Sequence, residues 1–105
     1  MGLIHTISLR MRELRYRHGF TQEEMAELIG ISIRHYQTIE AGLKKEIWLG
    51  TVEMLAHAFN LEPWELIGPE LPEQTTPRFN VSKSSIHYQR QRKGPYRKRS
   101  RENSR

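Results

Sequence analysis

The stretch SIRHYQT, within the first 40 residues, carries, besides Tyr36, five side chains that form directional hydrogen bonds. Arg34 presents a planar fork of N–H donors, whereas Gln37 presents a donor and an acceptor side by side. Ser32 and Thr38 add hydroxyl groups, and His35 adds an imidazole. Side chains of these types are suited to recognising the edge of a partner that carries the complementary donors and acceptors.

Catalysis and metal binding find no support in the residue pattern. The glutamates at 23, 24 and 27 have neither a partnering nucleophile nor a glycine-rich loop that could hold phosphate. The five histidines show no metal-ligand spacing, and the absence of cysteine excludes disulfides, thiol nucleophiles and Cys-based zinc sites. We therefore expect no enzymatic activity, no catalytic residue, no metal and no cofactor.

The charge of the chain is unevenly distributed. The 105 residues have a net charge of +5, which favours an anionic partner. Residues 1–68 contain seven Lys/Arg and nine Glu, whereas residues 69–105 contain ten Lys/Arg and three Glu. No apolar run is long enough to span a membrane, and the first residues lack the pattern of a secretory leader. These features predict a cytoplasmic protein without a membrane segment, whose basic character lies in its C-terminal third.

The apolar residues that must position the polar stretch recur at helical spacing up to residue 68. Ile7, Met11 and Leu14 lie at i, i+4 and i+7, which predicts one face of a first helix that ends near His18 and Gly19. The other predicted core residues are Met25, Leu28, Ile29, Tyr36, Ile39, Val52, Leu55, Ala56 and Phe59. One all-α domain of about 65 residues is large enough to fold alone.

Capping residues mark the two helices in the middle of the chain. Thr21 and Glu24 predict a capping box at the start of the second helix. Gly30 ends that helix, and Ser32 caps the third through the backbone N–H of His35. Further on, a proline at position 63 suits the first position of a short fifth helix.

The helices end where the composition changes. The segment IGPELPEQTTP contains three prolines and cannot continue a helix. Beyond it, few apolar residues and many like charges predict disorder. The chain is thus divided into a domain, residues 1–68, and a Pro-containing linker with a basic, disordered tail, residues 69–105.

The spacing that starts in TQEEMAELIGIS and continues to Ile39 is that of a helix-turn-helix. Ala26 is the small residue at the helix crossing, Gly30 lies in the turn, and Tyr36 and Ile39 are apolar anchors. Together with TIEAG and LAHAFNLEPWELI, this pattern resembles the XRE family, the Cro and phage-repressor type of helix-turn-helix domain, over about residues 6–68. The resemblance implies a five-helix phage-repressor-like fold followed by the disordered basic tail.

The resemblance also implies roles for individual residues. In this family the third helix, here about residues 32–41, lies in the major groove of duplex DNA. The implied base contacts are made by Ser32, Ile33, Arg34, His35, Gln37 and Thr38. Arg34 suits guanine O6 and N7, Gln37 suits adenine N6 and N7, and Ile33 suits a thymine methyl group.

Other matched positions are implied to contact the DNA backbone or to stabilise the fold. Gln22, at the first position of the second helix, is implied to bind a phosphate, as are Lys44 and Lys45 after the third helix. Arg15 and Glu40 match the family's structural ion pair between the first and third helices. Nothing in this set implies a metal.

The two tryptophans have separate expected places, and only Trp48 departs from the family pattern. Trp48 lies where a Ser or Thr cap is common, in a loop a residue or two longer than usual. We expect Trp48 to cover the core, with self-association as the alternative, and Trp64 to close the corner between the last two helices.

The resulting hypothesis is a sequence-specific DNA-binding transcriptional regulator, a repressor, associated with the nucleoid. The family implies a homodimer on half-sites about 10 bp apart, and the tail would add nonspecific nucleic-acid contacts. The alternative is an antitoxin or a polymerase-bridging module whose tail folds on a partner. Its apolar anchors would be Phe79, Val81, Ile86, Tyr88 and Tyr96. RNA binding by the tail is a third possibility, but it leaves the third helix without a role.

Overall fold

The computed structural model describes residues 2–81, which form five helices and no strand. These are α1 (Leu3–His18), α2 (Gln22–Ile29), α3 (Ile33–Glu40), α4 (Leu49–His57) and α5 (Pro63–Ile67). The all-α prediction is therefore confirmed. No helix among the described residues is long and apolar enough to cross a membrane.

The helix boundaries follow local chemistry. Thr21 and Glu24 form both halves of the predicted capping box, with Thr21 Oγ1 accepting from the Glu24 N–H at 3.1 Å. Ser32 Oγ accepts from the N–H of His35 at 3.1 Å. Between them, Gly30 has a φ of 94°, a left-handed conformation that a side chain would strain. This turn sets the angle between α2 and α3.

One hydrophobic core fills the space between the helices. Every apolar residue predicted to face inward is buried, from Ile7 on α1 to Phe59 after α4. Tyr36, one of the two predicted apolar anchors of the helix-turn-helix, is fully buried. The α2–α3 pair packs on α1 and α4 through this core.

The segment after α5 departs from the prediction. Residues 69–81, here called the C-terminal strap, lie along the helices instead of forming the start of a disordered tail. Leu71 is buried in the core, and Val81 packs against it. The Arg78 N–H donates to the carbonyl of Ala58, and its guanidinium donates to the carbonyl of Leu28, each at 2.8 Å.

The strap also contacts the end of α1 and the turn after α4. Arg17 Nη1 donates to the carbonyl of Pro72, and His18 Nε2 lies 2.8 Å from Thr75 Oγ1. Most of these partners are main-chain groups, which composition does not reveal. The packed body therefore extends past the boundary expected at residue 68, while the disorder predicted for residues 82–105 lies outside the described residues.

Both tryptophan predictions were wrong. Trp48 is 78% exposed and Trp64 is 68% exposed. Trp48 is the N-cap of α4 and makes no side-chain cap hydrogen bond. Phe59 and Leu66, which are fully buried, supply the core where α4 and α5 meet, so neither indole ring is needed there.

Candidate nucleic-acid interface

Helix α3 has one face fixed in the protein and the other in solvent. Tyr36 and Ile39 are fully buried, and Glu40 is 5% exposed. On the opposite side, the side chains of Arg34 and Gln37 are exposed, as is Ser32 at the N-cap. The rigid inner face therefore holds these three polar residues in a fixed row on the surface.

The other three candidate base contacts are partly covered. Ile33 is half-buried and packs against the core. Thr38 donates its hydroxyl to the carbonyl of Arg34 at 2.9 Å, so its oxygen remains free only to accept. His35 is half-buried and lines a shallow pocket of about 360 Å³ with Lys44 and Trp48.

The candidate phosphate contacts flank this row. Gln22 is the first residue of α2 and is half-buried. In the loop after α3, Lys44 is half-buried and Lys45 is exposed. Lys44 lines the same pocket as His35, so the loop cation lies beside the polar face of α3.

Glu40 anchors the end of α3 to α1. Its carboxylate accepts two hydrogen bonds from Arg15, at 2.8 and 2.9 Å, which is the ion pair that the resemblance implies. The backbone carbonyl of Glu40 accepts from Arg12 at 3.1 Å and from the hydroxyl of Ser8. We call Ser8, Arg12, Arg15 and Glu40 the Glu40 cluster.

The ionisation of this cluster follows from its hydrogen bonds. Burial acts to raise the pKa of Glu40, but hydrogen bonds from Arg15 and Tyr36 outweigh it, and the pKa lies below its ordinary value. The same hydrogen bond with Glu40 raises the pKa of Arg15. Glu40 is therefore an anion at neutral pH and holds two elements together as one rigid unit.

Sequence reasoning missed part of this cluster. Ser8, Arg12 and Arg15 follow one another at i, i+4 and i+7 on α1, one position after the apolar face at 7, 11 and 14. This spacing places a polar row along the edge of the buried face. It was a usable signal for a polar contact between α1 and a neighbouring helix.

Sequence reasoning also missed the contacts of two glutamines. Gln22 Nε2 lies 3.4 Å from Glu40 Oε2, and Gln37 Nε2 donates to Gln22 Oε1 at 3.1 Å. The pair is 15 residues apart, and no short-range pattern predicts it. A candidate phosphate contact is thus hydrogen-bonded to a candidate base contact.

The described residues contain no cluster of His, Cys, Asp and Glu that could hold a metal ion. The arrangement on α3 contains hydrogen-bonding groups on a rigid helix, flanked by two lysines. Such a surface is suited to an anionic partner whose exposed edge carries hydrogen-bond donors and acceptors.

Comparison with known proteins identifies a matching family and a similar structure. The family model described as Helix-turn-helix, HTH_3, matches residues 11–66. A crystal structure of a hypothetical transcription factor, NHTF, from Neisseria is similar, with a TM-score of 0.59 and 26% identity over 65% of this chain and 77% of that one. No curated protein matches the chain significantly.

The matched residues include the capped α2, the Gly30 turn, α3, α4 and α5 up to Leu66, and they make up more than half of the chain. The resemblance inferred from the residue pattern is thereby confirmed, and the chain belongs to the XRE-type helix-turn-helix family.

Proposed function

We propose that this protein is a sequence-specific DNA-binding transcriptional regulator that acts as a repressor. The observation that carries the proposal is the division of α3, whose inner face is locked by Tyr36, Ile39 and Glu40 while its outer face presents hydrogen-bonding groups. A helix held in this way can enter a major groove without losing its own packing. Repression by covering a promoter needs no catalytic group.

Base recognition is assigned to the six candidate residues of α3 and its N-cap. Arg34 and Gln37 are exposed and suit guanine and adenine edges, respectively. Ile33 and Thr38 keep part of their surface for a thymine methyl group or for a base-edge donor. Ser32 and His35 complete the set at the helix start.

Backbone contacts are assigned to Gln22, Lys44 and Lys45. The described residues carry eight Lys/Arg and eleven Glu, so the body as a whole does not attract DNA. Attraction must therefore come from cations beside α3 and from the nine Lys/Arg between residues 83 and 105. We infer that this tail adds nonspecific phosphate contacts.

The active form is proposed to be a homodimer on two half-sites about 10 bp apart, as is usual for this type of domain. Leu43, Trp48 and Leu49 are 73%, 78% and 81% exposed, and they give the loop before α4 and the first residue of that helix an apolar surface for a second copy. The family membership supports the proposal, as does the likeness to a protein described as a hypothetical transcription factor. The protein would act in the cytoplasm, on the nucleoid.

A binding titration tests this function. Labelled duplexes from the DNA upstream of the protein's own gene, and random duplexes of equal length, are titrated at two salt concentrations with the full chain. Residues 1–81 serve as a second sample because the C-terminal strap belongs to the folded body. We expect sequence preference in both samples, a shallower salt dependence without the tail, and two chains per specific duplex.

Two substitutions separate the assigned roles. Arg34→Ala should remove about 1–3 kcal/mol of discrimination at one base pair. Lys45→Ala is the matched control; it should weaken binding to all duplexes alike and lower the salt slope by about one. Equal affinity of the wild type for every duplex would refute the proposed function, and unchanged specificity in Arg34→Ala would refute the role of that side chain.

A further inference from the structure

One arginine of the C-terminal strap joins the ends of two helices. The backbone N–H of Arg78 donates to the carbonyl of Ala58, the C-cap residue of α4, at 2.8 Å. Its side-chain Nε donates to the carbonyl of Leu28, in the last turn of α2, also at 2.8 Å. The strap lies beyond residues 11–66, which the family model matches, so the family pattern assigns no role to this arginine.

The end of α2 needs such a partner. The last carbonyls of a helix have no N–H donor within the helix, and they form the negative end of the helix dipole. Helix α2 has no basic residue in its own last turn. The guanidinium of Arg78 therefore supplies, from a distant segment, both the donor and the positive charge that this helix end lacks.

The same guanidinium lies against the turn that leads into α3. The place that a Cβ atom would take on Gly30 is 3.8 Å from Arg78 Nη2. The N–H groups of Gly30 and Ile31 both donate to the carbonyl of Ala26, at 2.8 and 3.0 Å, so the turn is tied to the same end of α2. Ser32, the N-cap of α3, follows directly. Fraying of the last turn of α2 would therefore shift the start of α3.

The neighbours of the arginine hold it in this place. Its guanidinium carbon lies 4.9 Å from the centroid of the Phe79 ring, which is a cation–π contact. Two residues earlier, the carbonyl of Thr76 accepts from Asn60 Nδ2 at 2.9 Å. Because Ala58 is buried in the core, the backbone of Arg78 has a fixed position relative to α4. A side chain that is already held in place loses less conformational freedom when it makes its contact.

We propose that Arg78 is a positioning residue for base recognition, which fastens the end of α2 and the turn at Gly30 to α4 and so fixes where α3 begins. The inference rests on the proposed function, because the base contacts of α3 are assigned there. Arg34 lies in the first turn of α3 and Gln37 in the next, and the later turn is held by the buried Ile39. Loss of the Arg78 contact should therefore disturb Arg34 more than Gln37.

Amide hydrogen exchange of the full chain tests the contact without DNA. Arg78→Met keeps the aliphatic stem but removes the donor and the charge. Exchange at Gly30 and Ile31 should become about tenfold faster, which corresponds to the low end of the range for a hydrogen bond from a charged group. Exchange in the middle of α1 should stay as in the wild type. Arg17→Met is the matched control, because it removes the same charge and a donor to the carbonyl of Pro72, while its side-chain partners among residues 2–81 lie in the strap and in α1.

Selection from a random-sequence duplex library tests the consequence for recognition. The Arg34→Ala and Gln37→Ala proteins first identify the base pair that each residue reads. In Arg78→Met, the preference at the Arg34 base pair should then fall about three- to tenfold, and that at the Gln37 base pair by less than about twofold. A purely structural role would lower the affinity for every duplex alike and leave the profile of base preferences unchanged. Because Arg78 is exposed, a thermal melt within a few degrees of the wild type is expected and shows that the variant is folded.

Each outcome has a separate meaning. Unchanged exchange at Gly30 and Ile31, or equally faster exchange in every helix, would show that Arg78 does not hold the turn and would overturn the proposal. Faster exchange in the turn with an unchanged profile of base preferences, or with Arg34 reading no base, would overturn the positioning role and leave DNA recognition by the other residues of α3 intact. If the wild type enriches no sequence, the proposed function and the positioning role are both refuted, whereas the exchange result still decides whether Arg78 holds the turn.

Discussion

The Glu40 cluster and the C-terminal strap both fasten distant parts of the chain through arginine, but the acceptors differ in kind. In the cluster, Arg15 donates twice to the buried carboxylate of Glu40. In the strap, Arg78 donates to the main-chain carbonyl of Leu28 at 2.8 Å. The first contact pairs two charges, whereas the second pairs a charge with a neutral dipole.

This difference has an energetic consequence. Removing a carboxylate from a shielded pair leaves a cation with its hydrogen bonds unmet. A guanidinium that loses a carbonyl near the surface can bind water instead. We therefore expect the Glu40 cluster to depend on its charged partner, and the strap to depend on the apolar side chains that it buries.

The largest expected effect is at the cluster. Glu40→Ala should lower the free energy of unfolding by about 3 kcal/mol, because Arg15 stays in place with no anion to bind. Urea unfolding at pH 7 measures this change. Glu53→Ala, which removes an exposed glutamate from α4, is the control and should stay within about 0.5 kcal/mol of the wild type. Equal losses in the two variants would show that the cluster is not a special anchor.

The strap should respond to loss of apolar volume. Leu71 is 7% exposed, and Leu71→Ala should cost about 2 kcal/mol because it leaves a cavity beneath the strap. The same substitution at Leu3, which is 52% exposed, should change stability by less than about 0.5 kcal/mol. A Leu71→Ala protein as stable as the Leu3→Ala protein would mean that residues 69–81 do not belong to the folded body.

The smallest expected effect is a difference between the strap and the Glu40 cluster in how stability depends on pH. The ring of His18 lies 5.8 Å from that of Phe20 and 5.3 Å from that of Phe59, beside Thr75 of the strap. Burial, with Arg17, lowers the pKa of His18 below its ordinary 6.5. The contribution of the neutral His18 ring to the free energy of unfolding is therefore complete above pH 6.5. It is lost as the pH falls from that value toward the lower pKa of the folded state, because the unfolded chain takes up the proton first.

The Glu40 contribution has a different window. Because the pKa of Glu40 lies below its ordinary 4.5, this contribution is present above pH 4.5 and disappears only as the pH falls through the lowered value. Stability measured from pH 8 to pH 5 should thus decline slightly in the wild type and less in His18→Gln. Identical slopes in the two proteins would contradict the assignment to His18.

The elements that sequence alone predicted are those with short-range partners. Thr21 and Glu24 are three residues apart, and Gly30 needs only its own backbone conformation to end α2. The paired side chains of Arg15 and Glu40 are far apart in sequence, but they occupy positions that the family pattern assigns. In each case the residue types predict the structural feature.

The contacts that escaped prediction lack such a signature. Every residue has a carbonyl, so nothing in the letters around Pro72 marks it as the acceptor of Arg17. The bond between Gln22 and Gln37 depends on the crossing angle of α2 and α3, which only the packed core determines. The prediction that Trp48 covers the core was wrong for the opposite reason. Its apolar character indicated burial, but other side chains already fill the core.

A strap held by main-chain acceptors gives evolution unequal freedom along the chain. Substitutions at Pro72 or Glu73 leave the carbonyls that face Arg17 in place, so these letters can drift while the path of the chain persists. The arginine itself has no such latitude, because no other side chain supplies the same fork of donors. Relatives with unrecognisable C-terminal letters can therefore share this wrapping, and the arginines of their first helix are where to look for it.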